Sequence, residues 1–156
     1  MLNIKQYLNS EFCLDCRECC RFSDEIWLPQ LLKDDEKTLA ISCVKAKKGK
    51  QSTFVCQFLQ ETDHKCQVYE KRPFECVLYP FLLVKNNDSL DLVAHLGCPY
   101  ILNTVNLKQF KQYTDYLSKR LLEPEIMKLY DQEADKFHCY PDIELYTIKE
   151  RFFSNG

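Results

Sequence analysis

Glycine is nearly missing from this chain, with three in 156 residues at Gly49, Gly97 and Gly156. None sits in a G-x-G-x-x-G loop after a strand, so a nucleotide-binding unit of the Rossmann kind is unsupported. Long apolar runs are missing too. The longest candidate, around Tyr79 to Val84, falls far short of the ~20 residues a helix needs to cross a bilayer, so no membrane protein is expected. Nor is there an excess of positive charge. A net charge of -2 and a sequence pI near 5.9 argue against a dedicated nucleic-acid surface, which needs a concentrated positive field. The basic run Lys45, Lys47, Lys48 and Lys50 surrounds Gly49 without interleaved aromatics and reads as a solvated hairpin tip. Pro/Gly-rich linkers, internal repeats and low-complexity segments are absent. The first ten residues lack a basic stretch followed by an apolar run and a cleavage site, so the expected compartment is the cytoplasm, with reduced thiols.

Cysteine is what the chain has. Ten in 156 residues lie below the density of a small disulfide scaffold and well above that of an ordinary cytosolic enzyme. Four of them, Cys13, Cys16, Cys19 and Cys20, fall within eight residues. Bare thiolates repel one another and gain stability from a cation, so a metal centre is the economical reading and disulfide pairing the bland one. The spacing Cys13-x-x-Cys16-x-x-Cys19 lets three sulfurs converge, with a fourth ligand from elsewhere. Cys98-Pro99 has the local look of the last cysteine in the bacterial ferredoxin pattern. This makes Cys13, Cys16, Cys19 and Cys98 the candidate ligands of an iron-sulfur cluster. Zinc sites usually pair two separated C-x-x-C units, and no second such pair occurs, which tilts the reading toward iron and sulfide. Adjacent cysteines seldom both fit around one ion, so Cys20 points to a second site. With Cys56, Cys66 and Cys76 downstream, eight thiolates make two four-ligand sites or one binuclear assembly, and both divisions stay open.

The expected fold class is α+β, a small cysteine-rich, metal-centred domain with short β-hairpins and a C-terminal helical extension. A cysteine-rich part over 1–100 and a helical tail over 101–156 packed on it are expected to make one globular unit. Pro29 and the Asp34, Asp35, Glu36 group suit a short helix ending near Leu39. Leu39 to Val44 and Ser52 to Leu59 read as strands joined by the lysine loop. A clearer hairpin joins Phe81–Lys85 to Leu90–His95 through Asn86-Asn87-Asp88-Ser89. One helical turn is expected at Pro73. Leu107, Phe110, Tyr113 or Thr114, Leu117 and Leu121 then recur at helical spacing. Pro124 opens a second helix with Ile126, Met127, Tyr130, Ala134 and Phe137, and no regular structure is expected before Ile143.

A longer ordered pattern runs from Cys13-x-x-Cys16-x-x-Cys19-Cys20 through Cys56-Gln57-Phe58-Leu59 and Cys66, then Arg72-Pro73-x-x-Cys76-x-x-Tyr79-Pro80-Phe81, to Cys98-Pro99. It resembles the CxxCxxCC, or YkgJ-like, family over roughly Cys13 to Pro99. The resemblance implies a zinc- or iron-chelating domain, iron-sulfur containing in some members, of a type that also occurs in flagellin lysine methylases. Carried over position by position, it implies Cys13, Cys16, Cys19, Cys20, Cys56, Cys66, Cys76 and Cys98 as metal ligands. Cys43 and Cys139 lie outside the pattern and read as buried free thiols. Arg17, Arg21 and Arg72 are candidate donors to the sulfurs, and Tyr69, Phe74, Tyr79 and Phe81 are candidate cover. His64, His95 and His138 each stand alone and are not expected to be ligands.

Three functions follow in order. The first is an iron-sulfur protein in electron transfer or sensing. The second is a structural zinc scaffold whose helical tail offers a surface to a protein partner. Methylase-type chemistry comes a distant third, because no nucleophile elbow and no catalytic Cys/His pair stand apart from the metal ligands. Whether the chain is an enzyme stays open, and its catalytic residues are unknown.

Overall fold

A computed structural model describes residues 4–16, 18–49 and 53–154. The chain forms two compact units, one made of Gln6–Val77 and the other of residues 4–5 with 78–154.

In the first unit, helix α1 (Ser10–Cys16) leads to the two-residue strand β1 (Arg21–Phe22). Helix α2 (Lys33–Leu39) follows, then strands β2 (Ala46–Lys48) and β3 (Phe54–Cys56), and the unit closes on α3 (Phe74–Leu78). The antiparallel sheet runs β1-β3-β2, with Arg21 opposite Val55 and Ala46 opposite Cys56. Its core is small: Leu31, Val44, Val55, Cys56 and Leu59 are buried, with Cys20, Phe22 and Phe58 packed against them. The lysine hairpin is real, with β3 inside the expected Ser52 to Leu59, but its first strand sits later than expected. Helix α2 occupies Leu39, and Ala40 ends it in the left-handed conformation at φ 55° with its N–H on Glu36 O, so the chain cannot start a strand at Leu39. Val44 instead enters the core from a loop, and Ser52 lies outside the described residues. At the tip, a Cβ on Gly49 would stand 2.7 Å from Val55 Cγ2, which is why glycine occupies this position.

The second unit is built on strands β4 (Phe81–Asn86) and β5 (Ser89–His95), the hairpin expected from the sequence, with Asn87 turning at φ 53°. Helices α4 (Pro99–Thr104), α5 (Lys108–Leu121) and α6 (Pro124–Glu133) follow. The unit ends on a strand the sequence reading did not anticipate, β6 (Leu145–Ser154), which pairs with β5 to give the order β4-β5-β6. Its alternation is broken where Lys149-Glu150-Arg151 spans a bulge. There Arg151 adopts φ 46° and donates its backbone N–H to Asp91 Oδ1 at 2.7 Å. The periodic residues of α5 and α6 behave largely as expected, with Phe110, Thr114, Leu117, Leu121, Ile126 and Tyr130 buried. Leu107 stays exposed as the residue before α5, and α6 gives way to a 3-10 turn at Ala134.

Phe81 anchors this unit. It is fully buried, stacks on Tyr113 at 5.1 Å between centroids and meets Phe110 at 5.9 Å. Phe81→Ala is expected to cost about 3–5 kcal/mol in urea unfolding, the loss typical of a large buried ring. Among the described residues no helix is long and apolar enough to cross a membrane.

Candidate metal centre

Backbone hydrogen bonds bring three cysteine segments of the first unit side by side. Cys56 N–H donates to Cys20 O at 3.0 Å, which places the end of β3 against the double cysteine. Cys66 forms a bridge with Leu59, and Gln67 N–H donates to Phe58 O at 2.9 Å. Cys56 and Cys66 each begin a tight turn. Leu59 N–H donates to Cys56 O at 3.0 Å and Tyr69 N–H to Cys66 O at 3.2 Å. Within these turns the amides of Phe58 and Leu59 are aimed at the Cys56 sulfur, and that of Val68 at the Cys66 sulfur. Amides pointing at sulfur favour its charged form, as thiolate ligands require.

The fourth segment is α3, which carries Cys76. Asp35 holds it, accepting the Phe74 N–H at 3.1 Å on Oδ1 and 3.2 Å on Oδ2 while also accepting the Leu32 N–H at 3.0 Å. One carboxylate thus caps the first turns of α2 and α3 together. Glu75 Oε2 adds a second tie, accepting the Gln30 N–H at 2.7 Å.

The thiols sense one another. Burial pushes Cys56, Cys66 and Cys76 up from the usual thiol range, Cys76 furthest, and in each case negative charge on neighbouring cysteines pushes the same way. Cys20 donates its S–H to Cys19, so Cys20 is pushed up strongly while Cys19, which is exposed, is drawn down to about 7. Five thiols, Cys19, Cys20, Cys56, Cys66 and Cys76, therefore share one electrostatic neighbourhood, and none of the five is in a disulfide. Bringing them all to the thiolate form without a cation is unfavourable.

A fixed cation is built in. The Arg72 guanidinium lowers the thiols of Cys19, Cys66 and Cys76. It is fixed 3.8 Å over the Tyr69 ring, with Nε donating to Tyr69 O at 2.9 Å. With the Gln6 amide oxygen turned toward it, Arg72 Nη1 and Nη2 lie 3.0 and 2.6 Å from that oxygen. The sequence pattern of the CxxCxxCC family, described as "Putative zinc- or iron-chelating domain", matches residues 12–116 of the 156. The chain belongs to the CxxCxxCC family. Neither curated proteins nor solved structures provide a significant match. Metal chelation is accordingly the function class of this CxxCxxCC domain.

The donor set fits such a group in its chemistry, being all sulfur, partly charge-compensated and mostly half-buried, with Cys56 buried and Cys19 exposed. Among the described residues no three Cys, His, Asp or Glu side chains stand near enough to grip one ion as they are. Protonated thiols have no reason to converge, and metal binding would draw them in at the expense of binding energy. Cys13 and Cys16 stand three residues apart on α1, both half-buried. Cys98 is buried just before α4 in the second unit.

Other expected participants of the CxxCxxCC domain have different employment. Arg21 Nη2 lies 3.0 Å from His64 Nδ1, His95 Nδ1 lies 3.0 Å from Tyr79 Oη, and Arg17 is outside the described residues. Phe81, expected as cover, belongs to the core of the second unit. Cys43 and Cys139 are not buried as expected. Both are exposed, Cys43 within the loop before β2 and Cys139 donating to Lys85 O at 3.1 Å in a segment alongside β4. Lys47, read as mere hairpin solvation, lowers the Cys56 thiol from the strand beside it.

Sequence reasoning missed Gln6, Asp35 and Glu75. It also missed the pairing of the two cysteine turns, although Cys56-Gln57-Phe58-Leu59 and Cys66-Gln67-Val68-Tyr69 repeat one pattern, Cys-Gln followed by two large apolar residues.

Proposed function

We propose that the first unit holds an iron-sulfur centre on thiolates drawn from Cys19, Cys20, Cys56, Cys66 and Cys76, used for electron transfer or sensing in the cytoplasm. The observation that carries this reading is the pair of amide-lined turns at Cys56 and Cys66, next to a fixed guanidinium and three further thiols. Cys13 and Cys16 on α1 are further donors of the same unit. Such a centre supplies a one-electron couple when bound. The chain's own groups tune it. Amides of Phe58, Leu59 and Val68 and the Arg72 charge all stabilise added negative charge on sulfur, which raises the potential at which an electron is accepted.

A structural zinc reading is favoured by one observation, the small buried core of this unit, which among the described residues holds Leu31, Leu32, Val44, Val55, Cys56, Leu59 and Phe74. So small a core gains most from a metal staple. Anaerobic purification followed by iron, sulfide and zinc determination separates the two. Stoichiometric iron and sulfide with a visible absorption band bleached by dithionite is expected. Zinc alone, in colourless protein, overturns the redox reading in favour of the scaffold.

A further inference from the structure

The metal reading leaves the second unit without a task, and one surface of that unit is shaped for one. A groove of about 610 Å³ runs between α5 and the β6 segment Tyr146–Lys149. This falls within the range of roughly 300–1,000 Å³ common for binding clefts. Strand β6 ends its sheet, so among the described residues no further strand pairs with its outer edge. Alternate backbone N–H and C=O groups of such an edge point away from the sheet and can receive an extended chain.

The walls add two features. Leu107 and Tyr146, two of the large apolar side chains that stay exposed at 49% and 41%, both line the groove. Tyr146 is held edge-on against Phe110 at 5.7 Å and so presents a fixed ring. Lys108, Lys111 and Lys149 line it as well, against the one carboxylate of Asp115. The groove is thus locally positive on a chain whose net charge is -2. A charge on an edge strand commonly serves to block unspecific pairing. Here the three cations come from two different elements and line one cleft, Lys149 with its ammonium 5.3 Å from the Phe152 ring centroid, and such a cleft selects among extended chains by charge.

We infer that the groove between α5 and β6 docks an extended acidic peptide segment of a partner protein, which adds to the β6 edge while its carboxylates meet Lys108, Lys111 and Lys149. Apolar side chains of the same segment rest on Leu107 and Tyr146. A nucleic acid is the weaker occupant, because the cleft offers strand pairing and the chain as a whole repels phosphate.

The 156-residue chain is titrated, by fluorescence anisotropy at low salt, with a labelled peptide of alternating valine and glutamate and with its valine-lysine counterpart. The glutamate peptide is expected to bind about tenfold tighter, from three solvent-exposed charge pairs. Because all three lysines are exposed, the Lys111→Glu, Lys149→Glu double variant should fold normally by circular dichroism and reverse the preference. Amide shifts on binding should concentrate in residues 146–149. Equal binding of the two peptides, a preference untouched by the double variant, or displacement of the glutamate peptide by a tighter-binding oligothymidylate each overturn the proposal. Metal content plays no part in the readout, so it stands or falls apart from the metal reading.

Discussion

Cys66→Ser is expected to leave the protein without stoichiometric metal and to lower the melting temperature of its first unit by roughly 15–30 °C. The Val68 amide points at the Cys66 sulfur and the Arg72 charge acts on it, so the local backbone is arranged for a thiolate. A serine hydroxyl does not ionise near neutral pH and is a poor partner for a soft ion. A metal present at about 1,000 times its dissociation constant stabilises the folded state by about 4 kcal/mol. In a unit of 60–100 residues each kcal/mol is worth roughly 4–8 °C. Cys43→Ser is the control, since Cys43 is exposed and outside the family pattern, and its metal content and melting should match the parent. Elemental analysis and differential scanning calorimetry on anaerobically prepared protein decide the matter. Full metal content in the Cys66 variant would remove Cys66 from the ligand set.

Asp35→Ala comes next in size, with an expected cost of roughly 2–3 kcal/mol in chemical unfolding. The loss is larger than for an ordinary cap, about 1 kcal/mol, because one half-buried carboxylate accepts from Leu32 and Phe74 at once. Releasing Phe74 loosens the start of α3, and Cys76 lies two residues further on. The variant should therefore also bind its metal more weakly, although Asp35 is no ligand. Asp35→Asn keeps one carbonyl oxygen and should restore at least half of the stability. A neutral effect of the alanine variant on both unfolding and metal retention would show that α3 is held by its other contacts alone.

The elements that were legible in the sequence are those whose signal is local. The β4–β5 hairpin announces itself through Asn86-Asn87 between two apolar runs, and α5 through Phe110, Thr114, Leu117 and Leu121. Strand β6 was hidden because its bulge carries three charged residues through the middle of the strand and breaks the two-residue period. In the first unit the strands are only two or three residues long, too short for any period, and their register is set by the cysteine turns they carry. The cysteine pattern named the family and the candidate ligands. It could not say which thiols meet, because that depends on pairs such as Cys20 with Cys56 that lie far apart in the chain. Asp35 was legible only as a helix-start acid, since its second partner, Phe74, is 39 residues away.

The position of β6 after the cysteine-rich unit also sets an order of assembly during synthesis. Its closing register, Ser89 opposite Ser154, cannot form until residue 154 has cleared the ribosome, whereas Cys76 has been made long before. At roughly 5–20 residues per second the intervening stretch takes several seconds. The nascent cysteine-rich segment can meet its inorganic cargo while the strand that closes the other sheet is still being translated.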